Sequence, residues 1–280
     1  GAGGVGAGDD GRAPRLAARA APHRAPARRR FRPRDAPAAW KNWAVRIVGV
    51  HRLSEGPVVD VTVGHGQDPR QLLWRRGWTV SDWMSASGCD DGIVMTARVA
   101  QRGAGSRMPR RHAHRVHALP RENGVEPVPR QRVAAYAIVR SPLGVLGTTC
   151  SRRTAVPGRW QLPGGGVEPG ETPSEAVIRE VLEEADQRIR ILRVVDLQSN
   201  HWIGTSPAGV LEDFQALRII YTAVCAEPRP PRVLDVGGTT ESARWVSVRH
   251  WRALPWTSGA RSALDKHLGS IGSGRPGGAR

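Results

Sequence analysis

The stretch from Thr172 to Glu184 constrains this chain more than any other. Thr172, followed by Pro173 and then by Glu175, forms a capping box with proline at the first helical position, so a helix starts at about residue 173. Ala176, Val177, Val181 and Ala185 recur at helical spacing and supply its buried face. Glu180, Glu183 and Glu184 are three and four positions apart, so their carboxylates project from one side. Like charges at that spacing destabilise a helix, and a purely structural surface would rarely keep them without compensation. Hard divalent cations such as magnesium supply it, because they seek clustered carboxylate oxygens and then bridge substrate phosphates. Arg179, four residues after Glu175, is placed to hold nearby carboxylates. Just ahead, Gly164, Gly165 and Gly166 allow the backbone to approach a ligand or metal closely.

The whole segment, Leu162 to Gln187, resembles the Nudix box, G-x5-E-x7-R-E-U-x-E-E-x-G-U, where U is a bulky aliphatic residue. Gly165, Glu171, Arg179, Glu180, Val181, Glu183 and Glu184 match it in register, and Leu162-Pro163-Gly164 ahead of the box is typical of MutT-like members. Two positions depart from the pattern: Asp186 stands where the family has glycine, and Gln187 where it has an aliphatic residue. Glycine there would end the helix in a left-handed conformation. Aspartate tolerates that conformation better than most residues, at a cost of about 1 kcal/mol or less. Neither change removes an acid of the box.

The resemblance covers about half of the chain. It implies a Nudix fold over 130–268, in which a mixed β-sheet is flanked by helices as an α/β/α sandwich. It also implies Mg2+-dependent hydrolysis (with Mn2+ as an alternative ion) of a nucleoside diphosphate linked to another moiety. Glu180, Glu183 and Glu184, with the Gly164 carbonyl, would hold the metal, while Glu171 and Arg179 orient that array. Members of the family often use a further glutamate outside the box as base or extra ligand. Glu241 is the first candidate for it, with Glu212 and Asp213 as rivals. For substrate binding the expectation falls on Gly164, Gly165, Gly166, Trp160 and Trp202; His201 and Phe214 also flank the expected site, where an aromatic face could stack a base. Trp202 occupies the place where ADP-ribose-hydrolysing relatives carry a proline, and the extended motif of NADH-hydrolysing relatives is absent. Neither subfamily label is supported. A homodimer is expected from the resemblance alone.

Around this domain the pattern is looser. Residues 1–39 are rich in Gly, Ala, Pro and Arg and cannot bury enough apolar surface to offset the entropy of ordering; a disordered tail is expected, as over 269–280. Residues 40–100 read as a small α+β domain. Trp43–Val50, Val58–Val63, Thr79–Trp83 and Ile93–Val99 have the patterns of strands, and Asp68-Pro69 opens a short helix. Residues 101–129 read as a basic linker, and its histidines, His112, His114 and His117, lack the nearby carboxylates or cysteines that a metal site needs. Past it, Val133–Val139 and Leu143–Thr149 predict a hairpin, followed by strands at Ile189–Leu197, Phe214–Ala226 and Ala243–Val248 and a helix over Gly259–Leu268.

The net charge of +17 rests almost wholly on arginine, Lys41 and Lys266 being the only lysines. Such a charge attracts phosphates, nucleic acid or anionic surfaces, or reflects arginine filling solvated positions. Cys89, Cys150 and Cys225 give neither a disulfide framework nor a zinc motif and fit a reducing, cytoplasmic setting. No apolar run is long enough to cross a bilayer, so no membrane partner is expected. Two alternatives stand behind the hydrolase. One is a Nudix-fold nucleotide sensor that binds nucleic acid through its basic segments, ranked well behind because no helix-turn-helix pattern is present; the other is a Nudix-fold isomerase.

Overall fold

The structure, a computed structural model, describes residues 43–89, 92–110, 114–116, 126–206 and 209–268. The tails expected over 1–39 and 269–280 and the linker residues His112 and His117 lie outside these. The chain forms β1 (Ala44–Val50), β2 (Val59–Val63), α1 (Pro69–Arg75), β3 (Trp78–Cys89), β4 (Gly92–Gln101) and β5 (His114–Val116). After these come β6 (Val128–Ser141), β7 (Gly144–Cys150), β8 (Trp160–Gln161), β9 (Gly164–Gly166) and α2 (Pro173–Ala185). The last elements are β10 (Arg190–Thr205), β11 (Leu211–Val224), β12 (Thr240–Val246) and α3 (Ser258–Leu268).

Strand β6 is the axis of the larger sheet. It is apolar at nearly every position from Val133 to Val139, the mark of a strand covered on both faces. It runs parallel to β11 and antiparallel to β9, and turns through Ser141-Pro142-Leu143 into β7, as the predicted hairpin requires. The order is β12-β7-β6-β11-β10-β5, with β8 paired to β7 and β9 to β6. Val133, Ala135, Ala137 and Val139 face one layer, where Ala176, Val177, Val181 and Ala185 of α2 are fully buried. Ile138 faces the other, against Ala260, Ala263 and Leu264 of α3. The sheet is thus covered on both faces by helices, as the Nudix fold demands. β10 and β11 run longer than their apolar cores predict, because each strand hydrogen-bonds the other out to Thr205↔Leu211.

The first sheet has the order β2-β1-β4-β3, with β1 and β4 parallel and the other pairs antiparallel. Its buried residues Val45, Ile47, Val61, Trp83, Ile93 and Met95 belong to the same hydrophobic cluster as α2 and β6. The segments expected over 40–100 and 130–268 therefore share one core. The linker segment contributes β5, which pairs in parallel with β10 in the register His201↔His114.

Asp68 caps α1 by accepting from the Arg70 and Gln71 amides. That cap aims Arg70 at Asp196 of β10, which is 1% exposed and accepts from the guanidinium at 2.6 Å. Lys266 of α3 approaches the same carboxylate at 3.4 Å. Removing one partner of a buried pair strands a charge. Arg70→Met is expected to lower stability by about 3 kcal/mol in urea denaturation, the low end for such a loss because Lys266 remains. The water-exposed Arg46–Asp60 pair serves as control, and Arg46→Met should cost less than about 1 kcal/mol.

Candidate active site

The capping box forms as predicted: the Glu175 amide bonds to the Thr172 hydroxyl, and the Thr172 amide to the Glu175 carboxylate. Those bonds hold the Glu175 carboxyl below its ordinary value. At the other end Asp186 takes φ 52° and ψ 42°, the left-handed conformation expected of the glycine it replaces; it is the one non-glycine with positive φ among the described residues. Gln187 is buried where the box has an aliphatic residue, and it satisfies its own amide. Its Nε2 donates to the Ala185 carbonyl at 2.9 Å and its Oε1 accepts from the Arg229 amide at 3.0 Å. The segment after β11 completes this end of the helix, with the Leu234 and Asp235 amides donating to the Glu183 carbonyl at 2.7 and 3.1 Å.

Arg179 is the hub of the cluster. Its Nε and Nη2 grip both oxygens of Glu171 at 2.8 and 3.1 Å. Its Nη1 reaches Glu180 Oε1 at 3.1 Å and Glu183 Oε2 at 3.2 Å, and Nη2 also donates to the Gly166 carbonyl at 3.0 Å. The bond to Glu171, aided by the surrounding carboxylates, pushes the guanidinium pKa up and keeps it charged. Glu180 Oε2 and Glu183 Oε1 take no part in these bonds. Glu180 lies so close to Gly165 that a Cβ there would sit 2.3 Å from its Oε1, and Gly164, at φ 141°, runs against the β6 backbone. The triple glycine is thus required by contact as well as by conformation.

Glu184 is 5% exposed, and its two oxygens accept from the Gly164 amide at 3.0 Å and from the Thr240 hydroxyl. Burial pushes its pKa up to about 8; those two bonds oppose the shift, and the charges of Glu180 and Asp235 add to it. Burial raises Glu180 as well, opposed by Arg179. Three carboxylates of the box are bonded to Arg179 and a fourth, Glu184, is buried beside Glu180, in an all-oxygen set with two carboxylate oxygens outside the Arg179 bonds. That set suits a hard divalent cation, which would restore balance where burial disfavours the charged acids. Glu180, Glu183 and Glu184 would be the residues to hold it. Gly164 meets the cluster through its N–H to Glu184, a contact not foreseen from the sequence.

The residues expected outside the box are placed differently. Glu241 is exposed at an irregularity in β12, where the register jumps from Thr240 to Ser242, and its buried neighbour Thr240 makes the bond to Glu184 instead. Glu212 is engaged by Arg130 at 2.9 Å, and Asp213 by His65 and His201. Trp160 packs against Trp256 on the α3 face, across the sheet from α2. Trp202 packs on Phe214 with ring centroids 4.5 Å apart. Sequence reasoning missed Thr240 and Asp235, whose backbone sits on the helix C-terminus and whose charge reaches Glu184. Neither carries a spacing signal, since tertiary packing alone brings them there.

A glycine strand, a helix of clustered acids and an arginine that organises both define a site for hydrolysis of phosphoanhydrides. The family model described as NUDIX domain matches residues 130–266. Among curated relatives, the nucleoside triphosphatase NudI of Enterobacter sp. (strain 638) is 33% identical over 100 residues, 35% of this chain and 71% of the relative. NudI of Klebsiella pneumoniae (strain 342) is 26% identical over 116 residues, 41% of this chain and 79% of the relative. A NUDIX hydrolase from Nitrosomonas europaea superposes with a TM-score of 0.38 at 25% identity, covering 50% of this chain and 90% of that one. A Nudix hydrolase from M. smegmatis, RenU, gives 0.39 at 23% identity, covering 54% and 92%. The chain belongs to the Nudix family and is a pyrophosphohydrolase of that family. No helix among the described residues is long and apolar enough to cross a membrane.

The raised Glu184 pKa sets a pH dependence. A carboxyl whose folded pKa exceeds its ordinary 4.5 contributes stability that is fully present below 4.5 and lost as pH rises through about 8. Chelator-treated protein should therefore lose thermal stability across that window, and Glu184→Gln should flatten the loss. Added divalent cation should raise the melting temperature more at pH 8 than at pH 6, because binding must displace the proton.

Proposed function

We propose that the chain is a magnesium-dependent hydrolase of nucleoside triphosphates, cleaving within the triphosphate to release a nucleoside monophosphate. The observation that carries this reading is the Arg179 fork, which gathers Glu171, Glu180 and Glu183 beside the buried Glu184. The substrate class rests on the relatives, whose names describe nucleoside triphosphatases. When bound, magnesium would neutralise the phosphate oxygens and lower the pKa of a water molecule.

The chain's own residues supply the rest. Glu180 and Glu183 present the carboxylate oxygens that Arg179 leaves outside its bonds, and Glu184 anchors the Gly164 strand edge to the helix. Glu171 spends both oxygens on Arg179, and one of them also accepts from the Glu168 amide, so its part is to position the arginine. Asp235 is the acid outside the box best placed to take a proton from the attacking water: it is exposed, and its charge is felt at Glu184. Glu241 points into solvent at the bulge and is the weaker choice.

A panel of nucleoside triphosphates and nucleotide-linked metabolites, assayed with magnesium for released monophosphate, tests the reading. Glu183→Gln should lower kcat by at least about 100-fold with an unchanged circular dichroism spectrum, since even outer partners of a metal site cost 10- to 100-fold. Arg179→Ala should weaken magnesium binding and lower the rate, each by about 10- to 100-fold. Full turnover in Glu183→Gln would refute the mechanism. For the base, Asp235→Asn should lower kcat with the circular dichroism spectrum unchanged, whereas Glu241→Gln should leave kcat in place.

A further inference from the structure

Away from the glutamate helix, the described residues gather one other set of metal-ligating side chains, His65, His201 and Asp213, whose donor atoms all lie within 4.8 Å of one another. Asp213 presents one oxygen to each imidazole: Oδ2 is 3.1 Å from His65 Nε2, and Oδ1 is bonded to His201 Nε2. The two rings stand at 89° with centroids 5.5 Å apart, so their nitrogens reach the carboxylate from different directions.

The scaffold beneath this cluster is rigid. His201 of β10 opposes Gln215 of β11, two residues from Asp213, which puts His201 and Asp213 on one face of the hairpin. His65 comes from the turn after β2, and that turn is fastened to the same hairpin. Gln215, fully buried, accepts from the Gly66 amide at 2.7 Å and donates to the Gln67 carbonyl at 2.7 Å and to Ser199 Oγ at 3.0 Å. The loop histidine is therefore positioned by backbone bonds on both of its following residues. Such support from neighbouring groups is what a metal site needs to hold its ligands in place.

The donor chemistry differs from that of the Nudix helix. Two imidazoles and one carboxylate suit borderline metals such as zinc, where all-oxygen sets suit magnesium. A tetrahedral zinc ion with bonds of about 2.0–2.2 Å keeps its donors about 3.3–3.5 Å apart, within the 4.8 Å that already bounds their separation. The side chains are 18% to 28% exposed, leaving a fourth position open to water.

We propose that His65, His201 and Asp213 form a site for a divalent transition ion of the zinc class, fastening the turn after β2 to the β10–β11 hairpin. The site is independent of the hydrolytic reading and joins the turn after β2 to the Nudix sheet through residues that the glutamate cluster does not use.

The test uses the full chain, stripped with chelator and held in excess magnesium so that hard-oxygen sites are filled. Zinc is titrated against a chromophoric chelator, with melting temperature as a second readout. The expected result is one zinc per chain, a rise in melting temperature, and a loss of affinity of at least about tenfold in His65→Ala and Asp213→Asn. Cobalt in place of zinc should give visible absorption that His65→Ala abolishes. His65 sits on a turn, so His65→Ala should keep the native circular dichroism spectrum even if the strand variants do not. Glu183→Gln should bind zinc as the parent does. Zinc affinity unchanged in His65→Ala, zinc binding lost in Glu183→Gln, or no binding at about micromolar zinc would each overturn the assignment.

Discussion

Everything in the hydrolytic half depends on one guanidinium. Arg179 bonds three carboxylates and a backbone carbonyl at once, and this lets a helix carry acids at positions 180, 183 and 184 without flying apart. Lysine could not do it, because a point charge lacks the planar fork that grips Glu171 through both oxygens. Yet the fork compensates only part of the negative charge. Glu184 sits beyond its reach, buried, with its pKa raised, so it is the one acid of the helix that the arginine does not hold in its charged form.

The glycine strand is the necessary counterpart of that arginine. β9 supplies the carbonyl that accepts from Arg179 Nη2, the amide that fixes Glu184, and at Gly165 the empty space into which Glu180 fits. A side chain at Gly165 would push Glu180 off the helix face, and one at Gly164 would pry β9 from β6. The triple glycine and the acids thus form a single geometric unit joined across 20 residues of chain, from Gly164 to Glu184.

How much of this was legible follows from range. The helix start, its buried face and the left-handed end at Asp186 all come from interactions within a few residues, and each stands where the sequence placed it. The parallel pairing of β6 with β11, by contrast, joins segments more than 80 residues apart, and no local pattern announces it. The same limit explains the acids outside the box. Glu241 was favoured for lying just ahead of a strand, but a bulge turned it to solvent and left Thr240 facing Glu184. Asp235 reaches the site only because the segment after β11 folds back onto the Glu183 carbonyl. Likewise, the buried apolar residues of the first sheet pattern as well as any independent domain, and only the structure shows that they complete the core under α2.

That shared core bears on the strongly basic composition. A +17 chain invites a nucleic-acid reading, and several of the described arginines have partners within the fold. Arg70 pairs with Asp196, Arg130 with Glu212, Arg193 with Asp82 and Arg46 with Asp60, while Arg102 and Arg252 lie over the faces of Trp74 and Trp251. With Lys41 and Lys266 as its only lysines, the chain gives arginine nearly every role that needs a cation, including the planar and stacked ones for which arginine is the better residue. Two of these pairs, Arg70–Asp196 and Arg193–Asp82, join elements around the first sheet to β10 of the Nudix sheet, so part of the arginine content serves the packing of one sheet against the other.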